Sequence, residues 1–196
     1  MQACVPIRCR RTTVWLLLAG WAWLWLPAPA LAADGYFQVR DARAQLRDDV
    51  YMLDADIELR FSEASLEALQ NGIPLVLEVE IKVEKPREWL WPETVASLSQ
   101  RHRLQYHALS DRYVVHNLNT DLRQSFARLD NALDALGTLR EFPMLDRRLL
   151  ESDVHYRIKL RAGLVVEELP TPIRLWAYAS DQWRLGSDWY TWQLQP

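Results

Sequence analysis

Cysteine is nearly absent from this 196-residue chain, and both examples, Cys4 and Cys9, stand at its very start. From Ala33 onward there is none, which excludes a disulfide framework, a thiolate nucleophile and a cysteine-bound metal from that part. Glycine is scarce as well: only Gly35, Gly72, Gly137, Gly163 and Gly186 follow Ala33, too few and too scattered for a phosphate-cradling loop. The G-x-S-x-G and S-x-x-K arrangements of acyl-transfer nucleophiles are missing. So are the paired-histidine spacings of zinc enzymes: His102, His107, His116 and His155 lie in separate segments. No block of like charge exists, and a nucleic-acid binder would carry a basic stripe. No apolar run reaches the roughly 20 residues of a membrane-spanning helix.

What the N-terminus does contain is ordered. Arg8, Arg10 and Arg11 precede the 13-residue apolar run Val14–Leu26; Pro27 and Pro29 then break any helix, and Ala30-Leu31-Ala32 places small residues at alternate positions. That succession is the pattern of an export signal, so residues 1–32 are expected to be a cleavable signal peptide and 33–196 a single periplasmic domain. The alternative is an inner-membrane anchor formed by residues 14–26 and kept on the chain. In that case this segment would be the protein's only membrane contact. Removing residues 1–32 takes the formal charge from −3 to −6, a mildly acidic domain with both signs interleaved. With no disulfide, such a domain must be stabilised by its core alone, and its length suffices for one.

Period-two alternation dominates after residue 33, the pattern of half-buried strands. Tyr51, Leu53, Ala55, Ile57, Leu59 and Phe61 alternate with Asp54, Asp56, Glu58 and Arg60; Leu75, Leu77, Val79, Ile81 and Val83 alternate with Glu78, Glu80, Lys82 and Glu84. Residues 103–108 and 154–166 repeat the pattern with basic polar faces, and shorter strands are expected at 37–44, 113–118 and 189–194. Arg47-Asp48-Asp49 and Ser110-Asp111-Arg112 are the expected hairpin turns. Three short helices interrupt: Glu63–Gln70 capped by Ser62 and stopped by Asn71-Gly72, a second capped by Ser125 and ended by Gly137, and a third opened by Thr171-Pro172 and running through Tyr178. The expected fold is mainly β: an antiparallel sandwich of seven or eight strands with two or three short edge helices. An α+β roll is the alternative.

Candidate chemistry is thin. Asp54, Asp56 and Glu58 share one strand face, as do Glu78, Glu80 and Glu84, but alternate residues lie roughly 6.6 Å apart, too far for one strand to chelate a cation. Arg101, Arg103, Arg157, Lys159 and Arg161 offer matching basic faces, so a cross-strand charge lattice is the simpler expectation. No catalytic residue, metal site or cofactor is assigned. Tryptophan is the oddity: six of ten follow residue 33. Trp89 and Trp91 have strand spacing and would share a face beyond the 75–83 strand, whereas Trp189 and Trp192 have opposite parity and would point to opposite faces. These four are the candidate binding residues, either plugging the ends of the sandwich or gripping a partner.

Several stretches resemble the exported proteobacterial family known as domain of unknown function 4390: Val50-Tyr51-Met52-Leu53-Asp54-Ala55-Asp56, Ala68-Leu69-Gln70-Asn71-Gly72-Ile73-Pro74-Leu75, Arg103-Leu104-Gln105-Tyr106-His107-Ala108-Leu109-Ser110, Val115-His116-Asn117-Leu118-Asn119, Trp183-Arg184-Leu185 and Trp189-Tyr190-Thr191-Trp192. The resemblance implies a Gram-negative envelope protein with no assigned activity, encoded near a membrane sensor kinase, and hence a link to envelope signalling. The expected function is a non-enzymatic module binding a membrane or periplasmic protein. One alternative is a carrier or sensor of an apolar or lipid ligand held between the sheets. Another is an enzyme using the Asp54/Asp56 or Glu78/Glu80 carboxylates. No nucleic-acid partner is expected.

Overall fold

A computed structural model describes residues 35–87, 89–151 and 153–194. The expected signal segment and the candidate anchor at 14–26 lie outside these residues. Nine strands form two wholly antiparallel sheets around one apolar core, with three helices at the periphery. The sandwich expectation holds, with more strands than alternation alone revealed.

The smaller sheet has the order β1-β2-β7. β1 (Tyr36–Arg47) and β2 (Val50–Arg60) pair from Tyr36↔Arg60 to Arg47↔Val50, with a register shift between Val39 and Asp41. Their turn is the expected one: Asp48 and Asp49 both adopt left-handed backbone (φ 50° and 62°), the conformation a tight two-residue hairpin needs. β2 buries every second residue, Tyr51 through Leu59. The larger sheet has the order β6-β5-β4-β3-β8-β9. At its centre β3 (Leu75–Lys85) lies between β4 (Glu93–His107) and β8 (Arg157–Leu164), its inner residues Leu75, Leu77, Val79, Ile81 and Val83 all buried. β5 (Arg112–Asn117) joins β4 through the Asp111 turn, and β9 (Tyr190–Gln193) closes the opposite side.

α1 (Glu63–Gln70) begins as expected. Ser62 Oγ accepts the Ser65 N–H at 3.3 Å and donates to the Gln182 carbonyl at 2.7 Å, while Ser65 Oγ donates to the Ser62 carbonyl at 2.9 Å. Both serines are fully buried, so they cap the helix and tie it to a distant loop. Gly72, at φ 81°, supplies the left-handed residue that ends it.

The second helix is corrected. Ser125 caps nothing: it lies in β6 (Arg123–Phe126), opposite Val114 of β5, and its Oγ accepts from Arg112 Nε at 2.6 Å. α2 runs from Leu129 to Gly137 with Arg128 at its N-cap. Strand pairing for 123–126 outcompetes a serine cap because it satisfies a run of backbone groups rather than one donor. Gly137 does end the helix, and for a packing reason: a Cβ there would lie 2.1 Å from the Ile57 carbonyl oxygen. β7 (Thr138–Asp146) and the first half of β4 were not foreseen. β7 contains Pro143, a left-handed Glu141 (φ 48°) and two register shifts, so its residues do not alternate; proline is tolerated because β7 is an edge. α3 (Thr171–Ala179) opens with Pro172 in its first turn, as expected.

The domain has two recognisable ends. At the proximal end, where the described chain begins, Gly35 packs against the Ser62 backbone and Leu185, beside α1 and the segment that follows α3. At the distal end the Asp48-Asp49 turn, the β3–β4 loop and the β7–β8 connection meet: Arg147 N–H donates to the Asp49 carbonyl at 2.8 Å, and Lys85 Nζ reaches Glu151 at 2.6 Å.

Replacing Ser62 with Ala removes the cap and orphans the Gln182 carbonyl. Urea denaturation is expected to show a loss of about 2 kcal/mol, against under about 0.5 kcal/mol for the exposed Ser110→Ala control.

Candidate docking site

The four candidate tryptophans are not brought together. β3 stops at Lys85, so Trp89 and Trp91 stand in the β3–β4 loop rather than on a strand face. They are 92 % and 90 % exposed, with Leu90 between them also exposed. Proline at 86 and 92 stiffens the loop, and its base is pinned by Lys85 to Glu151 and by an Arg87–Glu93 ion pair. Exposed Leu149 lies in the neighbouring β7–β8 connection. The distal end therefore carries an exposed indole–isobutyl–indole tip whose base is held by ion pairs, which can enter an apolar recess on another surface.

Trp189 and Trp192 do point to opposite faces. Trp189 lies on the outer face under two cations, Lys82 Nζ at 4.9 Å and Arg161 Cζ at 4.6 Å from the ring centre. Trp192 packs on the core side beside Tyr190, ring centres 5.7 Å apart. Both are half-buried by their own sheet, so neither presents an open indole face. Trp183 is core. Trp176, on α3, is 77 % exposed and was not singled out from the sequence. The signal was available, because Ile173 and Ala177 define the inward stripe of α3 and Trp176 falls off it.

Most carboxylates of the acidic faces are paired with cations, while Glu78 takes the Ser99 hydroxyl. Asp54 accepts the Glu141 N–H at 2.9 Å and lies 3.5 Å from Arg43; these contacts hold its carboxyl below the ordinary range. Glu58 is drawn down to about 2 by Arg60, Arg40 and the Tyr36 hydroxyl. On the outer face of the larger sheet Glu80 meets Arg161 at 2.5 Å and Glu84 meets Lys159 at 2.9 Å. Asp56 takes Arg140 at 2.5 Å. This is the expected lattice of cross-strand pairs. Among the described residues no group of three or more His, Cys, Asp or Glu side chains is placed to hold a metal ion.

Several recesses open among the described residues; one of about 270 Å³ has Glu78, Glu80 and Arg161 in its wall, and two others bear on the candidate readings. A cleft of about 420 Å³ opens at the distal end, with Tyr51, Leu150, Val154, Tyr156 and Leu194 as its apolar wall and Arg147, Glu151 and His155 at its rim. A smaller one of about 150 Å³ lies between the inner face of β4 and the α2–β7 segment, where His102 and Gln100 face Leu136 and Phe142. Burial there lowers the His102 pKa, because the imidazolium would lose its hydration.

A histidine whose folded-state pKa is depressed binds its proton better when unfolded. Its contribution to stability is therefore intact above about pH 6.5 and falls as pH drops below that value. Denaturant midpoints measured from pH 8 to 5 are expected to decline below pH 6.5, and His102→Gln is expected to flatten that part of the curve.

Residues 35–193, essentially all of this described fold, match the family model described as Domain of unknown function (DUF4390). No curated protein and no solved structure matches the chain.

Proposed function

The chain belongs to the DUF4390 family, and from that premise we propose that it is a non-enzymatic, exported binding module whose distal Trp89-Leu90-Trp91 tip docks a protein partner in the cell envelope. The observation that carries this reading is the near-complete exposure of two indoles, 92 % and 90 %, on a short, proline-flanked loop. Solvent-exposed tryptophan contributes nothing to the core and enlarges the apolar surface, the hallmark of an interaction site. Tryptophan is also the residue most enriched among binding hot spots, and a rigid loop loses little entropy when it docks. The Arg87–Glu93 pair at the loop base supplies the polar rim expected around such an anchor. Export is supported by the basic, apolar and small-residue succession over residues 1–32. A role in envelope signalling fits a module of this kind without being required by it.

The 420 Å³ distal cleft favours a second reading, a carrier of a small apolar or lipid ligand, since its volume falls within the range typical of ligand pockets. Its rim brings charges of both signs, so it selects no obvious head group, and the reading stands second to the exposed tip.

A photo-crosslinking amino acid at Leu90 in cells is expected to trap one protein in preference to all others. The same probe at exposed Leu109, which lies in the β4–β5 turn, is expected to trap none. Trp89→Ala/Trp91→Ala should leave the denaturation midpoint within about 0.5 kcal/mol of wild type while abolishing recovery of that protein. An unchanged recovery sinks the docking reading, and lipid recovered in place of protein moves the assignment to the carrier.

Fractionation with intact-mass analysis tests export separately. The expected product is a periplasmic species beginning near Ala33. A membrane-bound species retaining residues 14–26 would establish the anchor instead.

A further inference from the structure

The proximal end carries a second apolar feature, and it is inverted relative to an ordinary surface helix. α3 spans Thr171–Ala179, and its inward arc consists of Ile173, Arg174 and Ala177. Arg174 is turned onto the protein, its Nε and Nη2 donating to the Leu169 carbonyl at 3.0 and 2.8 Å. At 100° per residue the remaining positions, Thr171, Pro172, Leu175, Trp176, Tyr178 and Ala179, occupy one continuous outward arc of roughly 160°. All six are exposed and none is charged. Leu175 is 69 %, Trp176 77 % and Tyr178 54 % exposed. A surface helix normally turns its charges to water and its apolar stripe inward; here the only charge faces in and the apolar side faces out.

Position in the fold says what covers this arc. α3 runs into Gln182, whose carbonyl takes the Ser62 hydroxyl, and the Ser62 backbone lies against Gly35, where the described chain begins. Only the eight residues 27–34 separate Gly35 from the apolar run Val14–Leu26. Fully extended, eight residues reach about 28 Å, so until cleavage, or wherever residues 14–26 are retained, chain length keeps this end within that reach of a membrane holding the run. Aromatic side chains with one polar atom, Trp176 and Tyr178 among them, favour the boundary between headgroups and acyl chains. The charges bordering the helix are not in basic excess: Glu167 and Asp181 stand against Arg184, which pairs with Asp181 at 2.9 Å. Attraction to an anionic surface is therefore not the driving term.

We propose that the outward arc of α3, Leu175-Trp176 with Tyr178, is a lipid-interface contact that seats the proximal end of the domain on the bilayer surface. The contact is apolar insertion of one short helix face, reversible and indifferent to lipid charge. It extends the domain's membrane contacts beyond the N-terminal segment and does not depend on the distal docking reading, because it uses the opposite end of the molecule.

Vesicle flotation tests it with residues 33–196, which form one compact unit containing the whole core. Phosphatidylethanolamine-rich vesicles with and without phosphatidylglycerol are the probes. The domain is expected to float with both, insensitive to salt. Leu175→Ser/Trp176→Ser is expected to lower the vesicle-bound fraction about tenfold at an unchanged denaturation midpoint, whereas Trp89→Ser/Trp91→Ser floats like wild type. Absence of flotation overturns the proposal, as does flotation that survives the α3 substitutions or that requires phosphatidylglycerol. Flotation lost with the Trp89/Trp91 variant would instead make the distal tip the lipid contact. An α3 variant that leaves lipid binding intact but loses a co-purifying protein would make the arc a protein interface and equally overturn it. Apart from that distal-tip outcome, none of these results bears on crosslinking from Leu90, so failure here and failure of the docking reading are separable.

Discussion

Burial of the inner face of β3 is the constraint from which the rest of the domain follows. β3 is hydrogen-bonded on both sides, to β4 and to β8, and its five inward residues from Leu75 to Val83 are at most 5 % exposed. At about 2 kcal/mol per buried aliphatic side chain, that row alone supplies on the order of 10 kcal/mol of gross burial energy, offset by the entropy of ordering the chain. No cross-link assists it within 35–194. The smaller sheet contributes the facing row, Tyr51 to Leu59, and the helices cover the margins: Ala132 and Leu136 from α2, Ala68 and Leu69 from α1.

Because the inner row fixes the register, it also fixes what lies outside. A one-residue slip would invert the faces of β3, so Glu78, Glu80, Lys82 and Glu84 are kept on the outer face, where Glu80 pairs with Arg161 and Glu84 with Lys159. The resulting ion pairs sit on a wet surface, where each contributes at most about 1 kcal/mol. Their part is to occupy Glu80 and Glu84 with basic partners; on the smaller sheet Glu58, held by Arg60, Arg40 and the Tyr36 hydroxyl, is drawn down to about 2. The same lattice gives Trp189 its two cations, which is why that indole is a structural element of the outer face rather than an open ring.

What the sequence made legible divides along local and non-local lines. β2, β3 and β8 were readable because burial on one face imposes strict alternation, and the Asp48-Asp49 and Asp111 turns because acidic residues tolerate left-handed backbone. Ser62 was readable as a cap, though not its bond to Gln182. Ser125 misled because a serine ahead of an apolar stripe signals a cap only if the preceding residues are not claimed by a neighbouring strand, and β5 claims them. β7 hid behind Pro143, Glu141 and its bulges, devices that suit an edge and erase alternation. The candidate site was half legible. Excess tryptophan pointed to the β3–β4 loop, but period-two spacing cannot distinguish a strand end from a loop tip. Trp176 was passed over although the Ile173/Ala177 spacing already placed it on the outer side of α3.

Exposed apolar groups at both ends pose one physical problem with two solutions. A small cysteine-free domain has little stability to spare, and uncovered tryptophans invite self-association. The chain confines them to two sites separated by the length of β1, whose 12 residues extend about 40 Å, and surrounds each with paired charges: Arg87–Glu93 at one end, Arg184–Asp181 at the other. The separation has a consequence for how the two contacts combine. A domain seated on a bilayer through α3, with its strands upright, would hold Trp89 and Trp91 away from the headgroups. The two apolar tips would then not compete for the same phase: one would be satisfied by lipid, leaving the other free to select a protein. Seating would also fix the height at which the tip searches, and so raise its effective concentration for a partner in the same membrane without any new contact.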